Sequence, residues 1–218
     1  MDQDKYLVEP INKKDTHWLL LNVHYAKRIP PMSYAFGLFL VTENERTLKG
    51  VVTYGMPASP ALCRGVCGES WKKDVLELNR LCLIDNQKNE ASRLVGASLK
   101  LLPKPKIIVS YADSSQNHVG FVYQSTNFIY TGITAKRTEW TVRGMEHMHT
   151  KAIGNTVKHL NKPPLQALKE IHGDNFYYRD RSQKHRYIYF IGDKHQKKQM
   201  IDALKYPVLK YPKPQKEG

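Results

Sequence analysis

Apolar and polar positions repeat along this chain with two different periods, and the changes from one period to the other mark out an α/β order. Residues 6–11 read as a first strand, and 36–42 and 49–54 as two more, joined by a polar turn at 43–46 into an antiparallel hairpin. Between the first strand and the hairpin, Asp15 can cap a helix that runs to about Lys27 and ends before Pro30-Pro31. A loop rich in Gly, Pro and Cys covers 55–70. Residues 75–84 alternate in part as a strand, and Leu94, Val95, Leu99 and Leu102 recur at helical spacing across 89–102. The contiguous run Ile107-Ile108-Val109 predicts a buried strand over 106–111, followed by a helix over 117–125 with Asn117 as its cap and a strand at 128–130. Residues 134–164 scatter Lys, Arg, His and Gly without a period and read as an insertion or long loop. Residues 187–191 form a last strand and 194–204 a last helix. The fold class is therefore α/β, with residues 1–205 as one domain and 206–218 as a basic, proline-bearing tail that is extended and mobile.

The segment 111–132, YADSSQNHVGFVYQSTNFIYTG, carries the chemistry. Asp113 falls at the carboxyl end of a strand beside a Ser114-Ser115 corner, the edge of an open α/β sheet where ligands bind. Tyr123 lies about one and a half turns into the following helix and can reach the same crevice. Upstream, Asn79 and Arg80 interrupt the apolar strand Leu78-Asn79-Arg80-Leu81 and point to opposite faces by strand alternation. One of the two must therefore face the core or a cleft; a buried Arg80 is rare without a partner, and Asp113 on the neighbouring strand can supply its charge. His24 and Tyr25 form a polar pair at the end of the first helix, where one turn does not put both on one face.

The 111–132 block, together with Leu78-Asn79-Arg80-Leu81, resembles the phage Mom family of DNA-modifying proteins, whose fold is similar to that of the GNAT acyltransferases. The resemblance implies a GNAT-like mixed, mostly antiparallel sheet flanked by helices, which agrees with the element order above. It implies an enzyme of the bacterial host's cytoplasm that converts the exocyclic amine of adenine in phage DNA to an N6-carbamoylmethyl group, shielding the DNA from restriction. His24 and Tyr25 then join the active site with Arg80. Asp113 orients or deprotonates the amine, Tyr123 protonates the leaving group, and Ser114 and Ser115 hold the developing oxyanion. GNAT enzymes bind acyl-CoA pyrophosphate at a Gln/Arg-x-x-Gly-x-Gly/Ala turn. The nearest match here, Arg93-Leu94-Val95-Gly96-Ala97-Ser98, falls inside a helix, where Gly96 reads as a packing residue against the sheet. Asn79, Arg93 and Ser98 are the candidate cofactor contacts.

Charge changes the picture next. Lys and Arg number 34 against 20 Asp and Glu, a formal net charge of +14, which points to a polyanionic partner. Residues 151–218 hold 15 of these cations and only 6 acids, so the carboxyl-terminal third reads as the phosphate-contacting surface. Arg179, Arg181, Lys184, Arg186, Lys194, Lys197 and Lys198 are its candidate nucleic-acid contacts. Aromatics interleave with them in Phe176-Tyr177-Tyr178-Arg179 and around Tyr187 and Tyr189, suited to stacking on unpaired bases or, equally, to an ordinary strand with one buried face. The target adenine has to be flipped from a duplex or met in single-stranded DNA. The same charge, with the poor CoA turn, favours glycyl-tRNA as the donor over acetyl-CoA. The rival readings are a DNA-binding protein of this fold without catalysis, and a CoA-dependent N-acetyltransferase of a protein or small amine.

Other chemistry finds little support. Cys63, Cys67 and Cys82 form no disulfide framework, as expected of a reducing compartment. Neither the Cys63/Cys67 spacing nor the His147/His149 pair makes a zinc deaminase motif, so no metal ligands are assigned, although room is left for an iron or zinc ion held by residues distant in sequence. Pro163-Pro164 follows Asn161-Lys162 and precedes Leu165, which breaks the loop of amino-methyltransferases. No apolar run approaches the roughly 20 residues of a membrane span, and the start lacks the order of a signal peptide, so an intracellular, soluble protein is expected.

Overall fold

The computed structural model describes residues 5–116, 118–148 and 150–213; the expected cap Asn117 and His149 lie outside them. A seven-stranded sheet runs in the order β1-β2-β3-β4-β5-β9-β6. Its members are β1 (Lys5–Pro10), β2 (Tyr34–Val41), β3 (Arg46–Gly55), β4 (Val75–Leu83), β5 (Lys106–Asp113), β6 (Ile129–Ile133) and β9 (Lys184–Ile191). All neighbours are antiparallel except β4 and β5. This is the mixed, mostly antiparallel sheet that the family resemblance implies.

Each face of the sheet is covered because the helices carry apolar stripes. On one side α2 (Glu90–Leu101) lays Leu94, Val95 and Leu99 over Leu38, Val52, Tyr54, Leu76 and Ile108. On the other, α1 (Pro60–Cys67) and α6 (Lys194–Asp202) place Cys63, Val66, Cys67 and Met200 over Val75, Ile107, Val109 and Ile188. The three cysteines are free and buried. Helix α1 lies within what reads from sequence as a loop; Ser59 caps it and Pro60 starts it, the residue pair that favours a helix start. The predicted first helix is instead a 3-10 turn at Lys13–Thr16 leading into a π-helical turn at Leu19–Val23. It stops four residues short of Lys27, because His24 turns extended. Among the described residues no helix is long and apolar enough to cross a membrane.

Between β6 and β9 the chain leaves the sheet. Residues 134–164 and their continuation to 183 build β7 (Arg137–Val142), α4 (Thr150–Thr156), α5 (Pro164–His172) and β8 (Phe176–Arg181), with β7 and β8 paired antiparallel. Val142, Ile153, Val157, Ala167 and Leu168 give this insertion a core of its own. It shows no clear period because each element is short and buries at most two residues. Past Leu204 the basic segment is extended, but it has fixed attachments: the Leu209 N–H donates to the Tyr130 carbonyl at 2.9 Å and the Tyr211 hydroxyl to the Phe128 carbonyl at 2.8 Å.

Helix α3 (Phe121–Ser125) begins after Gly120, later than expected. Gly120 has φ +78°, and a methyl group in its place would come within 2.5 Å of the Tyr187 ring. Gly120→Ala therefore combines a left-handed backbone with an overpacked contact and is expected to cost roughly 2–4 kcal/mol, read as a lower urea midpoint at constant m. Gly96, by contrast, faces Thr126 just past α3 at an ordinary 3.8 Å, so the expected approach of α2 to the sheet does not require it.

Candidate active site

Strands β4 and β5 pair only over Val75–Glu77 and Ile107–Val109. Beyond that they part, the Ser110 hydroxyl reaching across to the Leu78 carbonyl at 3.2 Å in place of a ladder bond. The gap opens into a cleft of about 730 Å³. Its walls include His24, Tyr25, Asn79, Arg80, Asp113 and Tyr123, so residues far apart in sequence meet in one place.

Tyr123 is packed between the rings of Phe128 and Tyr187, at 5.3 and 5.2 Å, and bonds to Ser110 at the mouth of the splay. Burial pushes its pKa up to about 12, so near neutrality the hydroxyl stays protonated and can supply a proton but cannot act as a base.

A bulge between Thr53 and Tyr54 leaves Asn79 as the extra residue in β4, which breaks the alternation assumed from sequence. The Asn79 side chain is consumed by structure: it accepts from the Thr53 hydroxyl at 2.6 Å and donates to the Pro31 carbonyl at 2.9 Å. Arg80 is different. Its Nε is buried with no hydrogen-bond partner among the described residues. Burial, then the nearby Arg28, lower its pKa, and Tyr25 and Glu77 oppose the shift. Asp113 is not its partner. That carboxylate accepts from the Ser115 N–H at 3.0 Å and hydroxyl at 2.8 Å, and pairs with Lys184 at 3.4 Å. Burial works against its ionisation, but the Ser115, Ser182 and Lys184 contacts outweigh burial and hold the pKa below the usual carboxylate value.

His24 and Tyr25 come together because the helix ends before them. Their rings stack at 4.5 Å, His24 only 8% exposed and Tyr25 69% exposed. His24 Nδ1 accepts from the Ala26 N–H at 3.1 Å, which leaves the proton on Nε2. Burial first, then Arg80, lower its pKa to about 4. Since the unfolded chain binds this proton near pH 6.5, the neutral ring contributes stability that is full above that value and fades as pH falls toward 4. His24→Asn, which keeps an acceptor near the Nδ1 position, is expected to flatten the fall of melting temperature between pH 6.5 and 4.

Several residues expected at the site have their donors committed elsewhere. The Ser114 hydroxyl donates to the Gln183 carbonyl at 2.6 Å, and the Ser115 donors go to Asp113, so both brace the corner and neither lines the cleft. Ser98 is buried against the Tyr54 hydroxyl at 2.6 Å, and Arg93 lies over the Tyr6 ring at 5.1 Å. At the amino end of α2, where free backbone N–H groups would hold the pyrophosphate of the expected CoA turn, Glu90 is 1% exposed. It accepts from the Gln87 N–H at 2.8 Å and from the Tyr6 hydroxyl at 2.9 Å. A carboxylate already holds the anion position, and a pyrophosphate would meet like charge there, so these residues do not fit CoA bound in that way. Among the described residues no cluster of His, Cys, Asp or Glu can hold a metal ion.

The cations are redistributed in the same manner. Arg179 and Arg181 bind Glu139, Lys184 binds Asp113, and Arg186 donates to Thr131 while its guanidinium sits 3.4 Å over the Tyr206 ring. Lys194, Lys197 and Lys198 are exposed, but β9 carries them away from the cleft: it runs from Lys184 beside Asp113 to Ile191 opposite Lys106, roughly 23 Å. Tyr187 is buried and Tyr189 packs on the core, the ordinary-strand alternative.

Glu77 went unread. It is the last β4 residue before the splay, and burial raises its pKa despite Lys184 and Arg80 nearby. A lone acid in Val75-Leu76-Glu77-Leu78 was the available signal.

A sequence profile of the Mom protein family matches residues 5–213. A curated relative, the methylcarbamoylase Mom of Escherichia phage Mu, is 29% identical over 216 residues, spanning 94% of this chain and 83% of the relative. Among solved structures, Arabidopsis thaliana NAA60 in complex with acetyl-CoA matches with a TM-score of 0.50 at 11% identity, covering 86% of this chain and 99% of the other. An IAA acetyltransferase from Bacillus cereus gives 0.43 at 10%, covering 86% and 100%. The architecture is a GNAT-like fold.

Proposed function

The chain belongs to the Mom protein family, and on that premise we propose that it is a DNA modification enzyme, a transferase that converts adenine to N6-carbamoylmethyladenine and so protects DNA from restriction. The name of the phage Mu relative, a methylcarbamoylase, supports this reading. The observation that carries it is the cleft itself, where the buried, protonated Tyr123 and an Arg80 Nε–H with no hydrogen-bond partner among the described residues meet beside the β4–β5 splay, with Glu77, a carboxylate of raised pKa, at the last paired position before it.

Adenine N6 is a weak nucleophile, because its lone pair is delocalised into the ring, so positioning and charge stabilisation supply most of the rate. Asp113, ionised and fixed, orients the amine. Glu77 takes its proton as the new bond forms, Arg80 Nε–H donates to the developing oxyanion, and Tyr123 protonates the leaving group. The donor is a glycyl ester, glycyl-tRNA. Attack of N6 on its carbonyl forms the amide and releases the tRNA hydroxyl. The free glycyl amine then closes a five-membered ring on C6, and cleavage of the original C6–N6 bond leaves carbamoylmethyladenine with every atom accounted for. The filled anion position at Glu90 speaks against a CoA-dependent acetyltransferase.

Mass spectrometry of nucleosides from the DNA of cells expressing the chain, grown on glycine labelled with nitrogen-15, tests both levels. A new adenine derivative is expected, with the label on the nitrogen bonded to C6. Unmodified DNA overturns the enzymatic reading, and label confined to the terminal amide overturns the glycyl donor. Within this scheme Glu77→Gln is expected to lower the rate about 10²-fold and to remove the acid limb of the pH–rate profile. Asp113→Asn is expected to cost less than about 10-fold in rate, with a fall in melting temperature as Ser115, Ser182 and Lys184 lose their acceptor. The reverse order would make Asp113 the base.

A further inference from the structure

Two aromatic rings stand at the rim of the cleft, and the chemistry above uses neither. Tyr25 rests on His24. Phe121, 62% exposed, is the first residue of α3 and lines the cleft while projecting into solvent. A single exposed phenylalanine is ordinary on a protein surface. Phe121 is set apart by its mounting. Two residues on, Tyr123 is locked between Phe128 and Tyr187. The turn before it is fixed by Gly120 against the Tyr187 ring, and both the Tyr187 hydroxyl and the Gln124 amide donate to the Val119 carbonyl. The short helix thus presents one ring inward, toward the reacting atoms, and one outward on a rigid base. Arg28 acts on Arg80 beside the same cleft, and positive charge there suits the phosphates on either side of a base drawn into it.

Resting on the adenine-modifying reading, we propose that Phe121 is the wedge that opens the duplex: its ring enters the base stack at the place vacated by the target adenine, which turns into the cleft. An adenine inside a helix has its N6 in a Watson–Crick bond and cannot reach Tyr123 otherwise. Apolar side chains serve this purpose in other proteins by replacing the lost stacking. Phe121 is a positioning residue in this assignment, since it holds the duplex open and does not touch the reacting amine.

The test uses the full chain with oligonucleotide duplexes carrying 2-aminopurine in place of adenine, either paired or opposite an abasic site. The wild type is expected to raise 2-aminopurine fluorescence several-fold on binding the paired duplex. Phe121→Ala is expected to bind within about threefold of wild type by anisotropy and to melt within about 2 °C of it. It should lose the fluorescence rise on the paired duplex and keep the rise opposite the abasic site, where no pair has to be broken. A rise equal to wild type on the paired duplex overturns the proposal. Loss of the rise on both substrates also overturns it, because the ring would then hold the extruded base inside the cleft. So does a wild type that raises fluorescence on neither duplex. In each of these cases the nucleoside analysis of expressing cells still decides independently whether DNA is modified.

Discussion

Tyr123→Phe is expected to slow transfer by about 10²–10⁴-fold, the range for loss of a positioned general acid. DNA affinity should stay within a few-fold of wild type. The substitution removes one oxygen from a ring that keeps its packing against Phe128 and Tyr187, and it deletes one hydrogen bond to Ser110. The fold should therefore lose only about 1 kcal/mol. Because burial keeps the hydroxyl protonated up to about pH 12, the wild-type rate should show no alkaline limb from this group in the neutral range. A variant that instead retains most of its rate while melting well below wild type would reduce Tyr123 to a packing residue.

Arg80→Lys carries the other large effect. Lysine preserves the charge and cannot place a donor where Nε–H stands, so the expected loss is about 10²–10³-fold in rate, as for removal of one oxyanion donor. Stability should move the other way or not at all. A buried guanidinium nitrogen without a partner costs free energy in the folded protein, and a flexible ammonium can withdraw toward water. Urea unfolding and single-turnover transfer on the same preparation separate the two. A slower enzyme that is also clearly less stable would mean that Arg80 mainly holds β4 in place.

The sheet was legible wherever burial writes itself locally. Ile107-Ile108-Val109 is buried on both faces and reads as a continuous apolar run, and Leu94, Val95 and Leu99 show the helical stripe of α2. The site was legible only as residue types. Asp113, Tyr123, Arg80, His24 and Tyr25 do line one cleft, but their partners are set by tertiary geometry: a bulge at Asn79, the parting of β4 from β5, and β9 arriving beside β5 from far along the chain. Strand alternation therefore misjudged Asn79 and Arg80. Lys184 displaced Arg80 as the partner of Asp113, and Glu77 drew no notice because the feature that makes it special is the splay that begins just after it. The insertion escaped because its core is spread thinly over four short elements.

That insertion leaves and rejoins the sheet at a single point. The Thr134 N–H donates to the Lys184 carbonyl and the Lys184 N–H to the Thr134 hydroxyl, both at 2.9 Å, while Gln183 donates to the Thr134 carbonyl at 2.7 Å. A cassette whose ends meet like this can be lengthened, trimmed or exchanged without unpicking the strands around it. The same clasp takes up Ser114 through the Gln183 carbonyl and Asp113 through Lys184, so a load applied to the cassette reaches the carboxylate proposed to orient the acceptor. A change within the cassette can thus alter the setting of Asp113 while the central sheet stays as it is.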